Sequence, residues 1–297
     1  MMMKSIEELE WRLLSKSVPV RIRAIFGFKG LGGTQAVKAL SRCLRQDPSC
    51  LVRHEAAYAL GQMREEEALD TLYNCLLDDS EDPMVRHEAA EAIGAIGKRS
   101  SIQLLERVLE TVSSREVKDT CELAIRRILS NNEKGKVECS SIGTVDPVCA
   151  VPNHSDWSTE KLGEKFLDTT LPLYERYCYL FELRDRGSSE AVSYLCKGFH
   201  DENALLKHEI AFVLGQLCNA EATESLMKLV SNPSEHYMVR HEAAEALGSM
   251  ATEETIQFLQ KYLSDENAVV RESCQVALDI CDYYRSEDFH YTDVLCG

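Results

Sequence analysis

Four near-copies of one short motif, set at regular steps, restrict this chain more than any other feature. LVRHEAAYALGQ begins at Leu51, MVRHEAAEAIG at Met84, LKHEIAFVLGQ at Leu206 and MVRHEAAEALG at Met238. Weaker copies begin at Pro19, Glu116, Tyr174 and Val269. With His54 as the reference position, the equivalent residues are Ile22, His54, His87, Asp119, Tyr177, His208, His241 and Glu272, at steps of 32, 33, 32, 58, 31, 33 and 31 residues. A step near 32 is the length of one helix–turn–helix unit, which buries its apolar face only by stacking on a neighbour.

Each step holds two stretches with apolar residues at i, i+3, i+4 and i+7, one face of an α-helix. Thr34–Leu44 and Glu66–Leu77 are first helices of a repeat; Val52–Gln62 and Val85–Ile96 are second helices. Gly61, Gly94, Gly215 and Gly248 fall near the ends of second helices or admit a close neighbour, and Asp47-Pro48, Asp82-Pro83 and Asn232-Pro233 mark turns. The pattern predicts an all-α fold: a HEAT-type α-solenoid of eight two-helix repeats in two pseudo-symmetric halves.

The 58-residue step carries about 26 extra residues, rich in Gly, Pro, Ser and Asn and without helical period. The expected organisation is an N-terminal half over 1–130, a linker over 131–158, a C-terminal half over 159–284 and an unstructured tail over 285–297. His54 with His208, and His87 with His241, are each 154 residues apart, so the order of repeats was duplicated as a block.

Composition narrows the functional classes. No stretch approaches the roughly 20 apolar residues that span a bilayer, and Met1 to Glu10 is polar and acidic, unlike a targeting signal. The expectation is a cytoplasmic protein. A net charge of −16 repels nucleic acid and anionic lipid and favours a basic partner. None of the twelve cysteines forms a C-x-x-C pair, and several sit in helical apolar pattern, which reads as reduced, buried thiols.

Four of the eight histidines are followed directly by glutamate, all at the reference position of the inner two repeats of each half. The outer repeats lack the pair, so a structural role common to the whole stack does not explain it. Neighbouring second helices lie about 8–10 Å apart, close enough for two imidazoles to converge on one ion. His54 would pair with His87, and His208 with His241. Four imidazoles and four carboxylates suit two ions, and the absence of thiolate points to iron, manganese or a binuclear zinc centre.

With these residues in view, the chain resembles deoxyhypusine hydroxylase, a HEAT-repeat di-iron mono-oxygenase family, over nearly its whole length. The resemblance implies hydroxylation of the deoxyhypusine side chain of translation initiation factor 5A, with O₂ as co-substrate. It implies two irons held by His54, Glu55, His87, Glu88, His208, Glu209, His241 and Glu242. Lys207 stands where the other three motifs have Arg.

Glu91 and Glu245, four residues after His87 and His241, are candidates to orient those histidines or to hold a substrate ammonium. A glutamate turned about 100° from its neighbouring histidine is expected to serve a different ion. Glu55 and Glu209 then form one metal-binding pair, while Glu88 and Glu242 lie nearer the substrate amine. Three other readings fit the same scaffold, a non-catalytic HEAT-repeat adaptor, a binuclear metal hydrolase and a chromophore-lyase-like member of the same repeat class; metal analysis with a visible spectrum separates the oxygenase, the hydrolase and the metal-free scaffold.

Overall fold

The structure is a computed structural model that describes residues 5–134, 142–148, 154 and 156–285. The described residues are helical with no strand, and they fall into two compact units divided between Pro147 and Val148.

In the first unit, α1 (Ile6–Leu13) pairs with α2 (Val18–Leu31), α3 (Gly33–Gln46) with α4 (Cys50–Met63), α5 (Leu69–Leu77) with α6 (Pro83–Ile96), and α7 (Ile102–Thr111) with α8 (Arg115–Lys134). In the second unit, α9 (Thr159–Leu167) pairs with α10 (Leu173–Arg186), α11 (Ser189–Lys197) with α12 (Ala204–Leu217), α13 (Thr223–Ser231) with α14 (Tyr237–Met250), and α15 (Glu253–Gln260) with α16 (Ala268–Arg285). Each unit is thus a stack of four helix pairs.

The repeated Ala and Gly residues explain why the second helices stack so closely. Ala56, Ala57, Ala59 and Leu60 of α4 are fully buried, as are Ala243, Ala244 and Leu247 of α14. A methyl added at Gly61 would sit 2.7 Å from Ala92 Cα on α6, and one at Gly248 would sit 2.7 Å from Ala277 Cα on α16. These glycines are close-approach positions and not helix caps. The left-handed residues that end the four helices are Arg64, Gly97, Cys218 and Ala251, only one of them glycine. In the first repeat of each unit the equivalent positions are Lys29 and Arg184, whose cations lie over the Phe26 and Phe181 rings. There the second helices pack less tightly, α2 on α4 and α10 on α12.

Side-chain caps start the motif-bearing helices. Ser49 Oγ accepts from Val52 N–H, an Asp82 carboxylate oxygen from Met84 N–H, Asn203 Oδ1 from Leu206 N–H, and His236 Nδ1 from Met238 N–H. The cation before each His-Glu pair fixes the adjoining turns. Arg53 donates to both Glu81 oxygens at 2.8 and 2.7 Å, and Lys207 donates to both Glu235 oxygens at 2.6 and 2.7 Å. Lys207 therefore does the work of the arginine it replaces. Arg86 and Arg240 take the other form, each donating from Nε at 3.0 Å to the last turn of its own repeat's first helix, at Leu76 O and Val230 O.

The span expected to be linker is partly ordered. Helix α8 continues to Lys134, and Val145 and Asp146, within the first unit, dock back on its helices. Gln62 donates to Val145 O at 3.1 Å and accepts from Val145 N–H at 2.9 Å, while Arg127 donates to Asp146 O. Residues 135–141, 149–153 and 155 of that span lie outside the described residues. So does the expected tail beyond Arg285, which itself ends α16.

Candidate metal centre

All four His-Glu pairs lie one turn into their helices, and all eight residues are buried. Burying imidazoles and carboxylates together is costly unless they are paired or hold an ion.

In the first unit, His54 Nε2 lies 3.3 Å from Glu88 Oε2 and His54 Nδ1 lies 3.3 Å from Glu55 Oε1. The His54 and His87 ring centroids are 5.6 Å apart. In the second unit, His208 Nε2 lies 3.2 Å from His241 Nε2 and 3.3 Å from Glu242 Oε2, and His241 Nε2 lies 3.8 Å from the same oxygen. Those two rings are 5.2 Å apart. The His54–Glu88 and His208–Glu242 contacts are the same contact, repeated by the duplication.

These spacings fit a metal. Two ligands bonded to one ion at about 2.0–2.1 Å, with bond angles near 90–109°, stand roughly 3.0–3.4 Å apart. Ligand atoms of His54, His87 and Glu88 lie within 4.8 Å of one another, as do those of His241, Glu242 and Glu245. The donors are nitrogen and oxygen throughout, a set suited to iron, manganese or zinc. No cysteine belongs to either group. Burial pushes the Cys43, Cys75, Cys121 and Cys274 thiols up to about 12, so they act as small apolar side chains.

Glu88 and Glu242, expected nearer the substrate amine than Glu55 and Glu209, each reach the imidazole of the preceding repeat. The 100° turn that aims Glu88 away from the His87 position aims it toward α4, and the Gly61–Ala92 approach brings α4 within reach. Glu55 lies beside His54 Nδ1, and Glu209 is buried on the matching turn of α12.

Glu245 does face its histidine, with Oε1 3.6 Å from His241 Nδ1. Glu91 sits among Glu88, Arg127 and Asp146. Burial, and then the Glu88 charge, push its carboxyl well above the usual range against the pull of Arg127. Burial opposes charge on His54, but its contacts with Glu55 and Glu88 outweigh this and hold the imidazole well above its ordinary value. Burial lowers the Lys29 ammonium despite the nearby Glu55 carboxylate.

One residue at the site went unnoticed in the sequence. Ser273, fully buried on α16, places Oγ 3.4 Å from His241 Nδ1. The signal was its register, since Glu272-Ser273 occupies the place of a His-Glu pair in the last repeat.

Fold and site together define a HEAT-repeat protein with a buried His-Glu cluster in each half. Residues 6–82, 44–126 and 182–279 match the HEAT-repeat family model. The deoxyhypusine hydroxylase of Candida albicans is 43% identical over 98% of this chain and 96% of its own length. Deoxyhypusine hydroxylase-B of Oryza sativa is 45% identical over 93% of this chain and 92% of its own. The structure of human deoxyhypusine hydroxylase in complex with glycerol matches with a TM-score of 0.88 at 38% identity, over 93% of this chain and 96% of that chain. The chain belongs to the deoxyhypusine hydroxylase family. No helix among the described residues is long and apolar enough to cross a membrane.

Proposed function

We propose that this enzyme hydroxylates the deoxyhypusine side chain of translation initiation factor 5A to hypusine, in the cytoplasm, with O₂ as co-substrate. Two iron ions would be held by His54, Glu55, His87, Glu88, His208, Glu209, His241 and Glu242. The observation that carries this reading is the repeated contact of His54 with Glu88 and of His208 with Glu242, at 3.3 Å in each half. A C–H bond of an aminobutyl chain is inert to acid–base catalysis, and bound iron supplies the redox capacity to use O₂ against it.

The chain's own residues bind, orient and shield. Second helices packed at van der Waals contact hold the imidazoles and carboxylates in place, and their burial keeps bulk water from the ligands. Glu91 and Glu245 border the two clusters: Glu245, facing His241 Nδ1 at 3.6 Å, is the candidate to orient that ring, and Glu91 the candidate to receive the substrate ammonium. The −16 net charge draws in a cationic side chain on a basic partner and disfavours nucleic acid and anionic membrane.

The test is to incubate the protein loaded with two ferrous ions, whose oxidation supplies the two electrons that take the second oxygen atom to water, with deoxyhypusine-containing factor 5A and isotopically labelled O₂ for one turnover, then weigh the modified peptide. Gain of one labelled oxygen atom supports the proposal. An unchanged peptide with an iron-replete protein overturns it, and a zinc-loaded protein that hydrolyses an ester or amide favours the hydrolase reading.

A further inference from the structure

Within each cluster the histidines act as ligands only if the correct ring nitrogen faces the ion. His241 is fixed in this respect from behind. Its Nε2 points at His208 Nε2, 3.2 Å away, and at the Glu242 carboxylate. Its Nδ1 faces Ser273 Oγ at 3.4 Å, within hydrogen-bond range, and Glu245 Oε1 at 3.6 Å. His241 and Ser273 are both fully buried, so water does not compete for that nitrogen. Helix α16 is held against α14 by the close approach of Gly248 to Ala277, and this sets the Ser273 hydroxyl against the ring.

We infer that Ser273 is a positioning residue for His241: its Oγ accepts a hydrogen bond from Nδ1–H, fixes the ring's orientation and leaves Nε2 as the metal ligand. Glu245 stands behind it as a negative charge that makes the ring a stronger donor, the arrangement commonly found behind metal-bound histidines. This assigns a role to the last repeat of the second half, which has no His-Glu pair of its own. The register position that carries glutamate in the ligand repeats carries a hydroxyl here, and it serves the neighbouring histidine from outside the cluster. The inference rests on the metal reading of the site.

The experiment is a cobalt(II) titration of metal-free full-length protein, followed by its visible absorption, for the wild type, Ser273→Ala and Ser273→Thr. Serine to alanine removes the hydroxyl with little change in volume, and threonine restores it. Ser273→Ala is expected to weaken one cobalt site by about 10- to 100-fold and to shift its absorption, while the other site is unaffected. Ser273→Thr is expected to keep wild-type affinity and spectrum. A long-range nitrogen–proton correlation spectrum of the zinc-loaded wild type should show the His241 proton on Nδ1. If Ser273→Ala binds both cobalt ions as the wild type does, or if His241 carries its proton on Nε2, the inference is overturned while the metal reading stands. If the wild type binds no cobalt, both fall. Should Ser273→Ala fail to fold, the threonine variant and the proton position decide the matter.

Discussion

The Gly61→Ala substitution tests whether helix spacing sets the metal geometry. The added methyl would lie 2.7 Å from Ala92 Cα and 2.9 Å from Ala92 Cβ, and the nearer contact is backbone that no rotamer change relieves. Ordinary carbon contacts are about 3.5–4.0 Å, so α4 and α6 must part by roughly 1 Å. Overpacking of this kind costs about 1–3 kcal/mol, and alanine's better helix propensity offsets about 1 kcal/mol of it. The net expectation is a destabilisation of about 1 kcal/mol. The effect on metal should be larger. Gly61 is about 10 Å along the helix from His54, and a rigid α4 carries the opening to the cluster. The 3.3 Å spacing of His54 Nε2 and Glu88 Oε2 would then approach about 4.2 Å, the limit for two trans ligands at 2.1 Å. Gly215→Ala is the graded control, because its added methyl meets Ala246 Cα only at 3.1 Å. Urea denaturation of the metal-free proteins and cobalt titration give the two readouts. A Gly61→Ala protein with wild-type stability and metal affinity, or one less affected than Gly215→Ala, would refute the reasoning.

Three further outcomes are expected. Glu88→Gln and Glu242→Gln should each lower bound iron as much as His54→Ala and His208→Ala do, measured by metal analysis; full iron in either glutamine variant would contradict the short in-half contacts. Burial opposes ionisation of Asp265, but the Arg240 guanidinium, the Asn267 N–H and Arg271 outweigh it and hold its carboxyl below the usual range. Its stabilisation is therefore present above the unfolded value of about 3.9 and lost as pH falls through the folded value. Asp265→Asn should cost about 1–2 kcal/mol at neutral pH and flatten the acid limb of a stability–pH curve, and an unchanged acid limb would count against this clamp. We propose that the two halves fold as separate units joined through 131–158. Gln62→Ala, which removes both hydrogen bonds to Val145, should speed protease cutting within 142–148, as read by mass spectrometry of the fragments; cutting at the wild-type rate would show that Gln62 does not hold this segment.

The repeat register exposed the helices and all eight candidate ligands, because a residue type recurring at one position of a fixed step is visible without coordinates. What stayed hidden depended on distances between helices. The reach of Glu88 to His54 follows from the Gly61–Ala92 contact, and the sequence offered capping as an equally good use for that glycine. The caps are in fact formed at residues such as Arg64 and Cys218, whose side chains give no hint of left-handed backbone. Ser273 had a register position but no chemistry that called attention to it until His241 Nδ1 was seen beside it. Likewise, Gly, Pro and Ser in 131–158 read as linker, because docking by Gln62 and Arg127 uses the peptide groups of Val145 and Asp146, which carry no sequence signature.

The central claim is that each half holds one iron through its own histidine pair and the glutamate of its second motif. Iron per chain in anaerobically purified wild type, His54→Ala and His208→Ala tests it most directly. The account expects two irons in the wild type and, in each variant, loss of one iron with the other retained. A wild type with no iron, or variants that both keep two, would contradict it.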